Sequence, residues 1–133
     1  MFFLTACVVN GLINSDFESG TSAGWTIGGG PRSGELSDDI YSDEYLPGGS
    51  RYNAGIANSH SGIVTHGYDP VLGTLMPDIV HRGNYAWRVE DTVTGGFGSV
   101  IFQEVYYYFC PDIYFAWLAV LQNSGHKIGR AHV

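Results

Sequence analysis

The chain has 133 residues and a formal net charge of −7, and 44% of its residues are hydrophobic while 14% are charged. This length suits one ordinary domain with a real hydrophobic core. The negative charge argues against binding to nucleic acid, which needs a basic patch, and against binding to anionic membrane surfaces. The 19 glycines and nine tyrosines, together with the few charges, favour an all-β protein with many turns.

The first seven residues, MFFLTAC, are apolar and lack a basic start. Their apolar run is shorter than the core of an export signal, which needs about 7–15 residues. The sequence from Leu4 to Cys7 resembles the lipobox of bacterial lipoproteins, whose Cys is lipidated after cleavage. The alternative is a misplaced start within a longer export signal. We therefore expect residues 1–7 to be the remnant of an export signal or a lipobox.

The first half of the chain predicts short strands around one long loop. Val8–Phe17 is typical of a first strand, and Gly24–Ile27 of a short second strand. Residues 28–53 are rich in glycine and acids and predict a long loop without a helix. Weaker strand patterns follow around Gly55–Ala57 and Ile63–Thr65.

The second half carries clearer strand patterns. Tyr85–Val89 alternates apolar and polar residues, as a half-buried strand does, and Ser99–Val105 predicts another strand. Ile113–Leu121 is continuously apolar, which favours a central strand covered on both faces, with a helix as the competing prediction. The side chains expected to be largely buried are Phe17, Trp25, Trp87, Val89, Ile101, Phe115 and Trp117.

Four motifs follow one another in a characteristic order. They are Asn14–Gly20, Gly24-Trp25, Gly83–Val89 and Ser99–Val105. This order resembles the jelly-roll domains of the galactose-binding-like superfamily, especially carbohydrate-binding modules. The resemblance implies an antiparallel β-sandwich and a non-catalytic, glycan-binding role in a secreted or cell-surface bacterial protein. The final strands of such a sandwich have no counterpart here, so we expect the fold to be incomplete at the C-terminus.

The same resemblance implies a structural calcium ion near the first strand. The family uses the Glu of the Phe-Glu pair as a ligand, which corresponds to Glu18 in this chain. Calcium requires about 6–8 oxygen ligands, and the family's late-strand Asp ligand has no counterpart here. The alternative is that Glu18 is a solvated residue at a sheet edge.

A glycan-binding module needs exposed aromatic rings beside hydrogen-bonding side chains, because sugars stack their CH faces on rings. The preferred ligand-binding residues lie in the long loop: Tyr45, Tyr52, Arg51 and Asp43. Tyr41 and Tyr68 also lie in polar segments and could serve. The alternative is that these tyrosines pin the loop to the sandwich.

No catalytic site is predicted. The sequence lacks a G-x-S-x-G or H-E-x-x-H motif and a phosphate-binding loop. His60 and His66 flank the sequence SGIVT without a third ligand in register, so we interpret them as ordinary loop histidines.

The end of the chain raises a separate question. The last six residues, IGRAHV, resemble the translation of a common sequencing-adapter read. We therefore expect residues 127–133 to be a non-native tail and residues 8–126 to form a single β-sandwich domain. The only two cysteines, Cys7 and Cys110, could form a disulfide in an exported protein or could be a lipidated Cys and a free thiol.

Three functional hypotheses follow. The first is a module that binds a glycan or cell-surface polysaccharide. The second is a structural or adhesive β-sandwich spacer without a ligand, placed among other domains of a larger exported protein. The third is an accessory domain of an enzyme whose catalytic part lies elsewhere in a longer chain.

Overall fold

The computed structural model describes residues 11–32, 41–93, 95–106 and 114–120. Its regular structure is mainly β-strand and forms two small antiparallel sheets, β1 with β4 and β2 with β3. In chain order the elements are β1 (Thr26–Pro31), a 3-10 helix (Ser42–Tyr45), α1 (Ala54–Ser59), β2 (Gly62–Thr65), β3 (Tyr85–Arg88) and β4 (Phe97–Phe102).

The first sheet is built on a run of three glycines in β1. In its register Gly30 lies directly opposite Gly98 of β4. Glycine normally weakens a strand and marks a place where another part of the chain approaches closely. That is the case here, because Gly28, Gly29 and Gly30 are all buried.

The two faces of β1 are covered by different segments. A Cβ atom on Gly30 would overlap the carbonyl oxygen of Arg51, and one on Gly98 would lie 2.6 Å from the Tyr45 ring. A Cβ atom on Gly29 would lie 2.8 Å from Cα of Ala57. Since successive residues of a strand face opposite sides, residues 41–53 cover one face and α1 covers the other.

The buried core is small and lies at this first sheet and beside it. Among the described residues, the buried hydrophobic side chains are Tyr45, Ala57 and Val80, with exposed fractions of 2%, 1% and 3%. Two of these three residues touch the glycines of the first sheet. The glycine run is therefore the surface on which the best-buried part of the chain packs.

Helix α1 replaces the strand predicted at Gly55–Ala57. The side chain of Asn53 accepts a hydrogen bond from the backbone N–H of Ile56 at 3.1 Å, which is the geometry of an N-terminal cap. The backbone N–H of Asn53 donates to the carbonyl of Gly29 at 2.8 Å. The cap and this tertiary contact stabilise a helix where the local pattern was ambiguous.

The second sheet confirms two predicted strands. β2 pairs with β3 from Gly62 opposite Arg88 to Thr65 opposite Tyr85. These strands cover the predicted Ile63–Thr65 and most of the predicted Tyr85–Val89. Val89 itself lies beyond β3 and is 47% exposed, so the prediction that it is buried is wrong.

The predicted first strand, Val8–Phe17, is wrong for its described part. Residues 11–17 form turns rather than a strand, and both Asn14 and Phe17 have positive φ angles, of 51° and 59°. Phe17 nevertheless stacks on Trp25 with ring centroids 5.3 Å apart, and on Trp87 at 5.8 Å. Phe17 and Trp25 are thus in contact and half-buried, although neither residue lies within a strand.

The predicted strand Ile113–Leu121 is also not observed. Its described part, residues 114–120, has no regular secondary structure. Phe115 is 71% exposed and Trp117 is 83% exposed, so the prediction that they are buried is wrong. A strand covered on both faces needs neighbours on both sides, and no described segment packs over these side chains.

The structure confirms the predicted bounds of other elements only in part. The predicted loop 28–53 begins inside β1, because residues 28–31 pair with β4, and the prediction that it lacks a helix is wrong, because it contains the 3-10 helix Ser42–Tyr45. The strand predicted at Ser99–Val105 overlaps β4, and Ile101 is half-buried within it. Cys7, Cys110 and residues 127–133 lie outside the described residues.

The close approach at Gly30 generates a stability prediction. Gly30→Ala should lower the free energy of unfolding by about 1–3 kcal/mol, because the new methyl group would overlap the Arg51 carbonyl and force the backbones apart. The matched control is Gly62→Ala in β2, where a Cβ atom would meet nothing within 4 Å. Urea denaturation should show the control at or above wild-type stability. Equal midpoints for the two variants would contradict the packing described here.

Candidate functional site

Residues 41–53 hold the preferred glycan-binding candidates, and their geometry is tightly constrained. The guanidinium of Arg51 donates to the carboxylate of Glu44 at 3.0 Å, and both side chains are partly buried. The backbone N–H of Arg51 also donates to the Glu44 carbonyl at 2.9 Å. Asp43 is exposed on the 3-10 helix. Arg51 is therefore already engaged in an ion pair within the loop.

Tyr45 does not fit the predicted role of a stacking platform. It is 2% exposed and packs over Gly30 and Gly98. A ring buried in this way has no free face for a sugar, so the prediction fails for Tyr45. Tyr52 is half-buried, and its backbone N–H donates to the Gly49 carbonyl at 3.2 Å. Tyr45 instead holds residues 41–53 against the first sheet, as the alternative to a stacking role predicts.

Tyr68 has the opposite character, with an exposed side chain on a constrained backbone. The side chain of Tyr68 is 54% exposed. Gly67, on one side, donates to Asp78 Oδ1 at 3.3 Å and accepts from the backbone of Ile79 at 3.0 Å. Asp69, on the other side, accepts from the backbone N–H of Gly73 at 2.8 Å. Both neighbours of Tyr68 are thus held by hydrogen bonds.

The turn after Tyr68 is closed by the Asp69 carboxylate. Its Oδ1 atom accepts hydrogen bonds from the backbone N–H groups of Val71 and Leu72, at 2.9 and 2.7 Å. Asp followed by Pro commonly begins a turn in this way. The sequence Tyr68-Asp69-Pro70 therefore marks a defined loop that presents the Tyr68 ring to solvent.

His66 joins two segments through both of its ring nitrogens. Nδ1 lies 3.0 Å from Oδ2 of Asp78, and Nε2 lies 2.8 Å from the carbonyl oxygen of Gly83. Both partners are acceptors, so the doubly protonated imidazolium satisfies both contacts while a neutral ring satisfies one. The hydrogen bond to Asp78, followed by that to Gly83, raises the pKa of His66. The pKa of Asp78 is lowered, first by the N–H of Val80 and then by His66.

Glu18 holds the turn that leads into β3. Its Oε1 accepts from the backbone N–H groups of Asn84 and Tyr85, at 2.7 and 3.1 Å, and its Oε2 accepts from the Asn84 side chain at 2.8 Å. The Asn84 side-chain bond, then its backbone bond, lowers the pKa of Glu18. The Glu18 carboxylate therefore accepts at least one hydrogen bond at each oxygen and joins residues 84 and 85 to the start of the chain.

The calcium prediction for Glu18 concerns a carboxylate that already accepts three hydrogen bonds from N–H donors. A calcium ion at Glu18 would need further oxygen ligands beside it. Within the described ranges, no group of three or more His, Cys, Asp or Glu side chains is arranged to hold a metal ion. Calcium binding at Glu18 stays a prediction.

A second His–Asp pair lies at the other end of β2. Nδ1 of His60 is 3.1 Å from both carboxylate oxygens of Asp91, and the His60 ring stacks on Phe97 at 4.2 Å. The pKa of Asp91 is lowered, chiefly by the backbone N–H of Val93. The sequence placed both histidines beside a strand but did not predict their aspartate partners, which are 31 and 12 residues away.

In the part of the chain that the structure describes, no helix is long and apolar enough to cross a membrane. Comparison of the chain with protein-family models, with curated proteins and with solved structures gave no significant match. Function must therefore be inferred from the residues themselves and their geometry.

The burial of Tyr45 predicts opposite effects for two substitutions. Its hydroxyl is buried and has no hydrogen-bond partner among the described residues, and an unsatisfied buried polar group costs about 1–3 kcal/mol. Tyr45→Phe should therefore leave the free energy of unfolding unchanged or raise it. Tyr45→Ala should lower it by about 3–5 kcal/mol, as loss of a large buried aromatic does. Denaturant midpoints test both, and a marked loss of stability in Tyr45→Phe would contradict the described burial.

The pKa shifts predict that stability is greatest in mildly acidic solution. The pKa of His66 is raised, so its contribution is full below its ordinary pKa of 6.5 and is lost as the pH rises through the folded-state pKa. The pKa values of Glu18, Asp78 and Asp91 are lowered, so their contributions are lost as the pH falls through the folded-state values. We expect the highest urea midpoint between pH 4.5 and 6.5, the ordinary values of Glu18 and His66.

The alkaline decline can be assigned to His66 by substitution. His66→Gln keeps a hydrogen-bond donor but cannot gain a charge, so it should flatten the decline of the midpoint above neutral pH. His81→Gln is the matched control, because His81 is exposed and makes no hydrogen bond with another described residue. An unchanged alkaline decline in His66→Gln would show that the His66 contacts do not contribute to stability.

Proposed function

We propose that this chain is a non-catalytic, carbohydrate-binding-like module of a secreted or cell-surface bacterial protein. The proposal includes a jelly-roll β-sandwich of the galactose-binding-like type. It is supported by the order of the four sequence motifs and by the antiparallel pairing of all four described strands. Its partner would be a glycan or a cell-surface polysaccharide.

The observation that carries the proposal is the exposed ring of Tyr68 on a constrained backbone. Binding a sugar by stacking requires an aromatic face that water can leave and the ligand can reach. A platform whose backbone is already ordered loses less conformational entropy when the ligand binds. The hydrogen bonds at Gly67 and Asp69 supply that order on both sides of Tyr68.

The ligand-binding residues preferred from the sequence contribute less to this proposal than Tyr68 does. Asp43 is exposed and available to hydroxyl groups, whereas Tyr52 is half-buried. Arg51 already binds Glu44. Tyr68 therefore takes the place of Tyr45 as the stacking residue, and Asp43 is retained as a candidate for polar contacts.

The His66 geometry supports a non-catalytic role. A general base needs a ring nitrogen that is free to take a proton from the substrate. Both nitrogens of His66 face acceptors within the protein, at 3.0 and 2.8 Å. The Asp78–His66 pair therefore serves to join segments in this conformation.

A ligand-free structural or adhesive spacer is the second candidate. It is favoured because several described carboxylates bind the backbone of the chain itself. Glu18, Asp69, Asp78 and Asp91 each accept at least one backbone N–H. Carboxylates used in this way stabilise the fold itself, which is the role that a spacer requires of them. A glycan array of broad composition separates the two candidates, because only the first predicts binding.

The stacking role of Tyr68 can be tested with two substitutions at the same position. Tyr68→Ala removes the ring and should weaken glycan binding by at least about ten-fold, which corresponds to about 1.4 kcal/mol. Tyr68→Phe keeps the ring and should retain most of the affinity. Both variants should unfold near the wild-type urea midpoint, since more than half of the side chain is exposed. Affinity is measured by calorimetry with the best ligand from the array.

Tyr106→Ala is the matched control, because Tyr106 is also exposed, at 77%, but lies outside the segments that hold the candidate ligand-binding residues. It should bind the glycan as the wild type does. Unchanged binding in Tyr68→Ala would exclude Tyr68 as the platform. Absence of binding by the wild type across the array would favour the spacer.

A further inference from the structure

Residues 67–79 form a surface loop whose two ends are joined by hydrogen bonds, and Tyr68 lies at one of these ends. The carbonyl of Gly67 accepts from the backbone N–H of Ile79 at 3.0 Å. The backbone N–H of Gly67 donates to Oδ1 of Asp78 at 3.3 Å. A compact surface loop with its ends in contact is an Ω-loop, a type that frequently carries function. The contacts between its two ends are called the neck of the loop below.

The neck is attached to the rest of the fold on both sides. On one side, Val80 is 3% exposed and belongs to the buried hydrophobic side chains of the described residues. Asp78 lies two residues before it. On the other side, strand β2 ends one residue before His66, which is followed directly by Gly67. The neck therefore joins a buried residue to the end of a strand.

The Asp78 carboxylate makes contacts with both sides of the neck. Its Oδ1 atom accepts from the backbone N–H of Val80 at 2.8 Å and from that of Gly67 at 3.3 Å. Its Oδ2 atom lies 3.0 Å from Nδ1 of His66. Hydrogen bonds to an ionised acceptor are stronger than neutral ones. One side chain thus links the residue that precedes the loop, the first residue of the loop and the buried residue that follows it.

The contacts on the far side of Tyr68 are of a different kind. The described hydrogen bonds of Asp69 go to the backbone N–H groups of Val71, Leu72 and Gly73. These partners all lie within the loop itself. They give the loop its internal shape, but they do not attach it to the rest of the molecule. The position of the Tyr68 ring relative to the fold therefore depends on the neck.

We propose that Asp78 is the positioning residue of the Tyr68 site, because its carboxylate closes the neck and so holds the ring where a sugar can stack on it. A ring that is held before binding spares the ligand the entropic cost of ordering the loop. The ligand in this proposal rests on the glycan-binding function proposed above. The closure of the neck by Asp78 does not rest on that function and can be measured without any ligand.

The first test measures the order of the loop in the full chain by ¹⁵N relaxation at the backbone N–H groups of Gly67 and Tyr68. The wild type should give order parameters of about 0.85, as rigid backbone does, and Asp78→Ala should give values below about 0.6. Asp78→Asn keeps a side-chain oxygen that can accept from the N–H groups of Gly67 and Val80. It should therefore restore most of the order, which a simple loss of packing at this position would not predict.

Asp91→Ala is the matched control. Asp91 also accepts a backbone N–H, from Val93 at 2.9 Å, and also lies beside a histidine, with Nδ1 of His60 at 3.1 Å. Asp91→Ala should leave the order of Tyr68 unchanged. An ordered Tyr68 in Asp78→Ala, a disordered one in the wild type, or equal loss in the control would each overturn the proposal. If Asp78→Ala does not fold, Asp78→Glu, which displaces the carboxylate by one methylene, decides the question: wild-type order of Tyr68 in it would overturn the proposal.

The second test measures glycan affinity by calorimetry with the best ligand from the array. Asp78→Ala should raise the dissociation constant roughly three- to ten-fold, which is the effect of ordering one side chain on binding. Asp91→Ala should bind as the wild type does. Wild-type affinity in an Asp78→Ala variant with a disordered Tyr68 would overturn the positioning role. Absence of binding by the wild type would overturn the glycan-binding function, while the relaxation data would still decide whether Asp78 closes the neck.

Discussion

The packing of Tyr45 over the cross-strand pair Gly30 and Gly98 is the contact on which most of the described fold depends. Only glycine lets the ring and the backbone of residues 41–53 come this close to β1 and β4. The run of glycines carries an entropic cost, because glycine loses more conformational freedom on folding than any other residue. Close contact on both faces of β1, by Tyr45 on one side and Ala57 on the other, offsets that cost through burial.

Polar side chains hold the second sheet where hydrophobic burial is slight. The His66–Asp78 pair and Glu18 lie at one end of β2 and β3, and the His60–Asp91 pair lies at the other. Hydrogen bonds with an ionised partner are stronger than neutral ones, so these contacts stabilise turns that little apolar packing supports. The same use of carboxylates explains why a spacer competes with a glycan-binding module as the function of the chain.

Exposed aromatic side chains remain once the core and the polar contacts are assigned, among them Tyr68 and those of residues 114–120. The ring of Tyr68 stands on a backbone held by hydrogen bonds, which suits a small rigid ligand such as a sugar. Residues 114–120 make no hydrogen bond with another described residue, so their exposed rings, unlike that of Tyr68, stand on a backbone that no described segment holds.

The β character of the chain and the strands around Ile63, Tyr85 and Ile101 were predictable from the sequence alone. These features arise from local alternation or from large apolar side chains, which have the same preference in any fold. The tertiary structure decided that the glycines after Ile27 form a strand, that Tyr45 is buried and that Trp117 is exposed. Glycine has no side chain and so leaves no periodic pattern, and the burial of an aromatic ring depends on which distant segment reaches it. For Tyr45 that segment is the pair of glycines in β1 and β4, 15 and 53 residues away along the chain, whereas no described segment covers Trp117.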